Sequence, residues 1–553
     1  MTAKPSDQVP DATSLAAARL FPSRREKRAP CGGDCVGGGD ARAWIGIVAQ
    51  RRKLGLSVPE ALENAWYMLT AVNPFPATLG RVCPHPCQDH CTRAQKDDAV
   101  AVNALERFLG DWALARGLSL PRLAAAGSQP ESVGVIGAGP AGFSFAYQMA
   151  RRGYAVSIYE RESVPGGMLQ FGIPQYRLPE DVLAAEVRRI LDLGVTLHLG
   201  TAVGRDVSLD LLRDRHRTLF LGIGANRGLT LGIPGEEGSG TWTGTGYLSQ
   251  VNRGIGVALG RRVAVVGGGN TAIDAARCAR RTGADVTLLY RRTRHEMPAI
   301  DAEVDDALAE GVRIEFLTAP VEIVRENSRI CSLVVQRMAL GEPDRSGRRS
   351  PIAIPGSEQV IAVDSVIAAV SQQPDWDGLG ALAPTTPWLE SNADHPLTDH
   401  VWAGGDSRGL GLAGGAIRQG RQAAELAHAR LRGLPLPPTD ARPPLAERAV
   451  RTDFYAGRAP VPLSRRGPDA WRAEPDLELA QTITEAEFLA EAERCLSCGL
   501  CFGCEQCFMY CNNAGLQRLD HPARGQYFEL SAERCVACGK CIDLCPCGFL
   551  EPE

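Results

Sequence analysis

Eighteen cysteines fall into two groups near the chain ends, Cys31 to Cys91 and Cys495 to Cys547, with Cys278 and Cys331 alone between them as ordinary core residues. The last group contains Cys535-Val-Ala-Cys538-Gly-Lys-Cys541-Ile-Asp-Leu-Cys545-Pro546, an unbroken C-x2-C-x2-C-x3-C-P run. Cys501-Phe-Gly-Cys504-Glu-Gln-Cys507-Phe-Met-Tyr-Cys511 repeats the spacing, with Asn512 in place of Pro. Paired runs of this kind hold two four-iron clusters, each run giving its fourth cysteine to the other's cluster. A zinc site would use two C-x2-C knuckles and leave the third cysteine of each run without a task. Cys495-Leu-Ser-Cys498 and Cys547 lie outside the runs and stand as alternative ligands, a further metal site or inert thiols.

Two glycine-rich turns offer a second chemistry. Val-Gly-Val-Ile-Gly137-Ala-Gly139-Pro140-Ala141-Gly142 reads as a strand opening through G-x-G-x-x-G into a helix. Gly137 allows the tight turn, Gly139 lets a pyrophosphate approach the backbone, and Gly142 lets helix and strand pack closely. Glu160 follows the next strand, about 20 residues downstream, where an acidic side chain binds a ribose hydroxyl pair. The second turn, Val-Ala-Val-Val-Gly267-Gly-Gly269-Asn270-Thr271-Ala272, is the G-x-G-x-x-A variant. Its second strand ends in Arg291-Arg292 where an NAD site carries Asp or Glu. Two guanidiniums there pair with a 2'-phosphate that a carboxylate would repel. The plain alternative is a solvated basic loop.

The elements that must position these residues follow from composition and pattern. At roughly 100 to 200 residues per domain, 553 residues imply several domains. Hydrophobic residues at 44% and charged residues at 22% fit a globular chain. No apolar run reaches membrane-span length and no secretory signal opens the chain, so a cytoplasmic protein without a membrane span is expected. Lys+Arg at 60 against Asp+Glu at 64 give no basic excess for a nucleic-acid partner. The expected fold is multidomain α/β. A helical iron–sulfur domain spans 1–125, an FAD-binding domain 126–254 and 376–433 is split by an NAD(P)-binding domain 255–375, and both dinucleotide domains are Rossmann-like. A Pro-rich stretch opens a linker, 434–493, from which a ferredoxin-like α+β domain, 494–553, hangs.

Two such turns, the first followed by an acid and the second by a basic pair, resemble the two-dinucleotide flavoprotein reductases. Gly166-Gly167-Met168, Gly222-Ile-Gly224-Ala225 and Trp402-Ala-Gly404-Gly405-Asp406 followed by Ala416-Ile-Arg-Gln-Gly420 extend that resemblance. It implies that Asp406 contacts the FAD ribityl chain and that the helix carrying Ala416 faces the isoalloxazine. At the N-terminus, Cys31-Gly-Gly-Asp-Cys35, Asn73-Pro-Phe-Pro and Cys83-Pro-His-Pro-Cys87-Gln-Asp-His-Cys91 set before an FAD unit resemble the iron–sulfur domain of the glutamate synthase small subunit, of dihydropyrimidine dehydrogenase and of the bifurcating ferredoxin:NADP oxidoreductases. Ile173-Pro-Gln-Tyr-Arg-Leu-Pro179 and Tyr290-Arg-Arg-Thr-Arg-His-Glu-Met-Pro298 belong to the same pattern. The resemblance implies one cluster on Cys35, Cys83, Cys87 and Glu106. The family's second N-terminal cluster uses a C-x2-C that would fall at Ser23 and Glu26, leaving Cys31 and Cys91 alone. One N-terminal cluster is therefore expected, with an all-cysteine cluster using Cys31 or Cys91 as the alternative, and about three four-iron clusters in all.

A nicotinamide gives two electrons together, clusters take them singly, and FAD converts between the two. The sequence thus reads as an NADPH-linked iron–sulfur flavoprotein with no acid, base or nucleophile to assign. The family's amidotransferase and pyrimidine-site segments are not found, and the appended ferredoxin unit resembles the electron-handling subunits of larger complexes. The expected function is the NADP(H)/FAD subunit of such a complex, for example a 2-oxoacid:acceptor oxidoreductase, in which the chain forms a homo-oligomer within a hetero-oligomer. Alternatives are a free-standing NADPH:ferredoxin oxidoreductase, a glutamate synthase small subunit, an electron donor to dissimilatory sulfite reductase, or a scaffold with a dead nucleotide fold. The expected partners are a catalytic subunit or ferredoxin.

Overall fold

The computed structural model describes residues 20–344, 346–380, 382–390, 395–436, 440–446, 448–467 and 469–553. Helices Ala41–Ala49, Val58–Thr70, Pro76–Val82 and Val102–Ala115 form the N-terminal domain. Ser57 starts the second of them with a reciprocal capping box to Glu60. The helices close on Trp44, Ile45, Leu62, Trp66 and Leu105, all buried. Helices Pro76–Val82 and Val102–Ala115 touch backbone to backbone. A Cβ on Gly80 would stand 2.3 Å from the Arg107 nitrogen, and one on Gly110 2.3 Å from the Ala77 nitrogen. This approach brings Cys83, at the end of the first helix, to Glu106 on the second.

Two five-stranded parallel sheets follow. The first runs Val401–Ala403, Thr218–Leu221, Ser132–Ile136, Ala155–Tyr159, Thr196–His198 in spatial order. The strand returning from residue 401 makes this domain discontinuous, as the split FAD domain requires. The second runs Arg313–Phe316, Asp285–Tyr290, Arg262–Val266, Ser365–Ala368, Thr241–Thr243. Strand Thr241–Thr243 and helix Gly244–Asn252, which the sequence boundary assigns to the first domain, thus belong to the second sheet; Tyr247 and Leu248 sit in its core. An antiparallel sheet of Thr318–Glu326, Arg329–Pro343, Arg349–Ala353 and Gln359–Ala362 is inserted before the last central strand. Cys278 is buried in the second core and Cys331 is half-buried on the inserted sheet.

The expected hanging linker is corrected by the structure. The described parts of 434–493 pack on the N-terminal domain and touch the second dinucleotide domain: Arg442 pairs with Glu26 and Asp40 at 2.8 and 2.6 Å, Glu478 with Arg81 at 2.9 Å, Arg465 with Asp306 at 2.5 Å, and the Phe488 and Phe108 rings meet at a tilt, centroids 4.7 Å apart. Helix Glu485–Ala492 then leads into the cysteine-rich end. The last strand, Leu550–Pro552, pairs antiparallel with Pro22–Arg24, so the ferredoxin unit is joined to the N-terminus through a shared ladder. Its own hairpin is Leu516–Ala523 with Gln526–Leu530. Pro and charge mark a break in periodicity, but they do not reveal that Arg442, Arg458 and Arg465 along it find carboxylates elsewhere in the chain.

Gly110→Ala tests the helix contact. Alanine improves helix propensity by about 1 kcal/mol, yet the added carbon meets backbone that cannot swing aside, and overpacking costs roughly 1 to 3 kcal/mol. Chemical denaturation of the variant should show a net loss of stability together with lower iron content; unchanged values would show that the close approach does not position the N-terminal site.

Candidate functional site

The first glycine turn sits where the first sheet feeds helix Pro140–Ala150. Gly137 has φ 100°, and a Cβ there would lie 2.5 Å from the Gly222 carbonyl oxygen, so the turn accepts no side chain. Space over Gly139 is open: an added Cβ would meet no atom within 4 Å. The helix amides face that opening, with Pro140 and Ala141 in the first turn, as a pyrophosphate requires. The Glu160 carboxylate is buried against the turn and accepts from the Ala138 and Glu162 amides at 2.7 and 2.9 Å. Burial raises its pKa, the two amides opposing. The Gly166 amide donates to the Ala138 carbonyl at 2.8 Å, which lays Gly167 and Met168 beside Gly139.

Helix Ala413–Arg432 crosses helix Pro140–Ala150 at very close range: a Cβ on Gly420 would lie 2.2 Å from the Ala141 oxygen, and the Ser144 hydroxyl donates to the Ile417 carbonyl at 2.7 Å. Gly405, Asp406 and Ala416 therefore gather on the same side of the fold as the first turn, an added Cβ on Gly405 lying 3.0 Å from the Ala141 Cβ. The Asp406 carboxylate accepts from the Gly411 amide at 3.2 Å, and burial pushes its pKa up to about 6. Gly224 keeps a left-handed φ of 66° in the return loop beyond Gly222.

In the second unit Gly267 is closed in, 2.3 Å separating an added Cβ from the Ala369 oxygen, while Gly269 is open in the same way as Gly139. Helix Asn270–Arg281 begins there with Asn270, Thr271 and Ala272 in its first turn, and the Asn270 side-chain oxygen accepts from the Ile300 amide at 3.0 Å. The basic pair separates into two different residues. Arg291 is exposed at the strand end, whereas Arg292 is buried, donating to Asp344 and to the Arg349 carbonyl, both at 2.7 Å. Arg291 is thus open to solvent, whereas Arg292 is bound to the inserted sheet. The two dinucleotide domains are pinned together by Arg177–Asp274 at 2.6 Å, with the Tyr176 ring under the Arg277 and Arg281 guanidiniums.

The cysteines separate into groups whose members lie near one another. Cys35, Cys83, Cys87 and Glu106 converge, each within electrostatic reach of the other three. The Asn73 amide holds Glu106 at 2.7 Å, and burial pushes its carboxyl up to about 7. Burial likewise pushes the Cys83 thiol up to about 11. Cys501, Cys504, Cys507 and Cys545 line a cavity of about 490 Å³ with Cys547 beside them, so the fourth cysteine of the last run does cross to the first group. Cys535, Cys538 and Cys541 lie together, and Gly515 bridges Cys511 to Cys535. Backbone amides aim at the sulfurs: His85 at Cys83 and Ala537 at Cys535, both 3.4 Å, and Gly515 at Cys511, 3.2 Å. Such donors stabilise thiolate and tune a cluster's potential. Cys31 and Cys91 do not join the Cys35 group; they face Cys495 and Cys498. The signal for that pairing was the C-x2-C at 495–498 standing outside both runs, together with the missing sulfurs at Ser23 and Glu26.

The glycine turns, Asp406 and the start of the returning helix lie within residues 131–420, which match a sequence profile of pyridine nucleotide-disulphide oxidoreductases. The chain belongs to that family. Residues 25–118 match dihydropyrimidine dehydrogenase domain II with its 4Fe-4S cluster, and residues 500–549 match a 4Fe-4S dicluster domain. The protein is thus an oxidoreductase in which an FAD- and NAD(P)-binding core is flanked by iron–sulfur domains. It is 39% identical over 426 residues to the NADP(+)-dependent formate dehydrogenase subunit beta of Moorella thermoacetica, covering 72% of this chain and 59% of that one. It is 40% identical over 354 residues to the NADPH-Fe(3+) oxidoreductase subunit beta of Geobacter sulfurreducens, covering 63% of this chain and 51% of that one. The glutamate synthase small chain of Halomonas elongata is 34% identical over 414 residues, 69% of this chain and 84% of that one. The chain therefore spans little more than half the length of the first two relatives. Among the described residues no helix is long and apolar enough to cross a membrane.

Two substitutions separate the roles of the basic pair. Arg291→Ala should weaken NADPH binding about ten- to a hundredfold, the loss of a charged hydrogen bond worth roughly 1.5 to 3 kcal/mol, and leave NADH nearly unchanged. Arg292→Ala should instead lower the melting temperature, because it removes a buried guanidinium that ties the strand end to Asp344 and to the Arg349 carbonyl. Steady-state KM values for both nucleotides decide; an NADH preference in the unmodified protein would contradict the assignment. Glu106→Ala should change the electron paramagnetic signature of the N-terminal cluster, and unchanged iron content and signals would remove Glu106 from the ligand set.

Proposed function

We propose that this chain is the NADP(H)- and FAD-binding subunit of a larger electron-transfer complex, moving electrons between NADPH and a low-potential iron–sulfur partner. The observation that carries this reading is the shared position of helix Ala413–Arg432. One side of it gathers Ala416 and Gly420 against the first glycine turn. Its N-terminus packs against the Cys35 loop, where an added Cβ on Gly414 would lie 3.1 Å from Val36 and one on Gly37 3.8 Å from both the Gly414 oxygen and the Cys35 sulfur. The flavin-type site and the first cluster-type site are therefore neighbours across one helix terminus.

FAD, when bound, takes a hydride from the nicotinamide and passes electrons singly to iron–sulfur clusters. The chain's own residues bind and orient. The Gly139 turn and the amides behind it hold a pyrophosphate, Glu160 receives ribose hydroxyls, Arg291 selects a 2'-phosphate, and Cys35, Cys83, Cys87 and Glu106 hold iron. No side chain is required to move a proton between substrate atoms. The names of two relatives carry both NADP and a subunit designation, which supports the nucleotide preference and the partner.

The face of the ferredoxin unit around Cys538, next to its bridge with Leu20, supports the partner independently. Cys538 is exposed, and around it Met509, Tyr510 and Val536 expose 66, 48 and 64% of their surfaces. Exposed apolar residues grouped beside cluster ligands suit a protein acceptor. Val536→Glu should leave NADPH-driven dye reduction intact and slow electron exchange with the co-purifying partner about tenfold or more, a charge being buried on docking. Full-rate exchange by this variant would place the exit elsewhere, and failure of NADPH to bleach the flavin anaerobically would refute the reading itself.

A further inference from the structure

Four cysteines remain outside the groups already placed, and the fold brings them together from opposite ends of the chain. Cys31 lies on the short helix Pro30–Gly33, Cys91 just before the turn Thr92–Gln95, and Cys495 and Cys498 follow helix Glu485–Ala492. They line one cavity of about 420 Å³, whose other walls include Ala41, Ile45, Val100, Val102 and Leu496. Each of the four is close enough to feel the charge of the other three. That all-to-all relation is the one found for the Cys35 group and for the Cys501 group. The first iron–sulfur profile match ends at residue 118 and the second begins at residue 500, so neither contains the complete set.

The local backbone repeats as well. Two residues after Cys83 and Cys535, a non-glycine residue takes a left-handed conformation, His85 at φ 47° and Ala537 at φ 54°, and turns its amide to the sulfur. Ser497 does the same after Cys495, at φ 55°, and its amide reaches the Cys495 sulfur. Left-handed non-glycine residues are uncommon. Their recurrence at this offset from a cysteine marks a turn shaped to present sulfur with its amide partner. The Thr92 side chain hydrogen-bonds Cys498, and buried Arg42 fixes that segment by donating to the Cys498 carbonyl at 2.6 Å.

We propose that Cys31, Cys91, Cys495 and Cys498 ligate a further four-iron cluster that joins the two ends of the chain, beyond the three assigned from the cysteine runs and the Cys35 site. A zinc ion would need the sulfurs drawn tightly around one point, and among the described residues no three His, Cys, Asp or Glu converge in that way. A cluster presents its ligand positions at the corners of a cube and suits the wider spacing.

Its place in the fold defines its task, which rests on the functional reading above. Cys31 and Cys35 are four residues apart, at most roughly 14 Å of extended chain, and Cys498 and Cys501 are three apart, at most roughly 11 Å. The site thus stands between the flavin-side cluster and the ferredoxin unit. One electron enters from the first and one leaves to the second; no bond is made and the bridging cluster returns to its starting state.

Iron, acid-labile sulfide and zinc are measured on the anaerobically purified full chain and on a Cys495→Ser/Cys498→Ser variant, with Cys331→Ser as control. About sixteen irons per chain are expected in the unmodified and control proteins and about twelve in the variant. Flavin content and NADPH-to-dye activity of the variant should be unchanged, while NADPH-driven reduction of the ferredoxin-unit signals should slow at least tenfold. About twelve irons in the unmodified protein, an equivalent of zinc in their place, or an unchanged count in the variant would overturn the proposal. Should the variant not fold, the count on the unmodified chain decides alone. Sixteen irons that NADPH cannot reduce would leave this site standing and refute the functional reading instead.

Discussion

Two buried arginines hold the chain's ends together, and the rest of the arrangement depends on them. Arg494 donates to the Asp97 and Glu491 carboxylates at 3.0 and 2.6 Å and to the carbonyls of Arg458, Asp98 and Ala99. Arg42 donates to Glu26 and Asp40 and to the carbonyls of Lys27 and Cys498. Both are 1% exposed. A guanidinium this deeply buried is costly unless its donors are met. Arg494 meets them at Nε and both Nη atoms, while Arg42 meets them at both Nη atoms and leaves Nε without a partner among the described residues. Removing one partner of such a pair typically costs roughly 3 to 5 kcal/mol. Glu491 is satisfied from three directions, taking the Ala101 and Val461 amides as well as Arg494. The seam therefore fixes geometry more than it adds stability, and the geometry it fixes is the approach of the 495–498 turn to Cys31 and Cys91.

A folding logic follows from this. Each dinucleotide domain closes around its own parallel sheet, the first with a strand returned from residue 401, whereas the iron–sulfur end regions complete one another. Strand Pro22–Arg24 meets Leu550–Pro552, Lys27 donates to the Gly548 and Phe549 carbonyls at 2.8 and 2.9 Å, and Lys53 caps the Phe502 and Gly503 carbonyls. The cysteine groups consequently form a series: the Cys35 group by the flavin helix, the Cys31/Cys498 group behind it, then the two groups of the ferredoxin unit, the last with an exposed ligand. Under the proposed function electrons would leave the flavin at the Cys35 end of this series and reach the surface at Cys538, the exposed cysteine of the last group.

Much of this was legible in the sequence wherever the information is local. Gly137, Gly139 and Gly142 encode a turn because each spacing answers to one backbone constraint, and the runs 501–511 and 535–545 encode clusters because the ligands lie within a few residues of one another. The N-terminal ligand set followed from resemblance, since Cys35, Cys83 and Glu106 are brought together by Gly80 and Gly110, which have no signature as a pair. The union of Cys91 with Cys495 left only an indirect mark, two cysteines short at one end and two over at the other, because residues more than four hundred apart leave no periodicity. Arg291 and Arg292 looked equivalent until Asp344, on an inserted sheet, claimed one of them. The stretch after residue 434 looked like a tether because its partners lie in other segments.

The central claim is that reducing equivalents pass from the nucleotide core through the N-terminal domain to the ferredoxin unit. Anaerobic mixing of the intact chain with NADPH, followed by rapid freezing and electron paramagnetic resonance, tests it most directly. The account predicts flavin bleaching first, N-terminal cluster signals next and ferredoxin-unit signals last, all within one turnover. Ferredoxin-unit signals that rise together with flavin bleaching, or that never rise while the flavin and N-terminal signals are fully reduced, would contradict it.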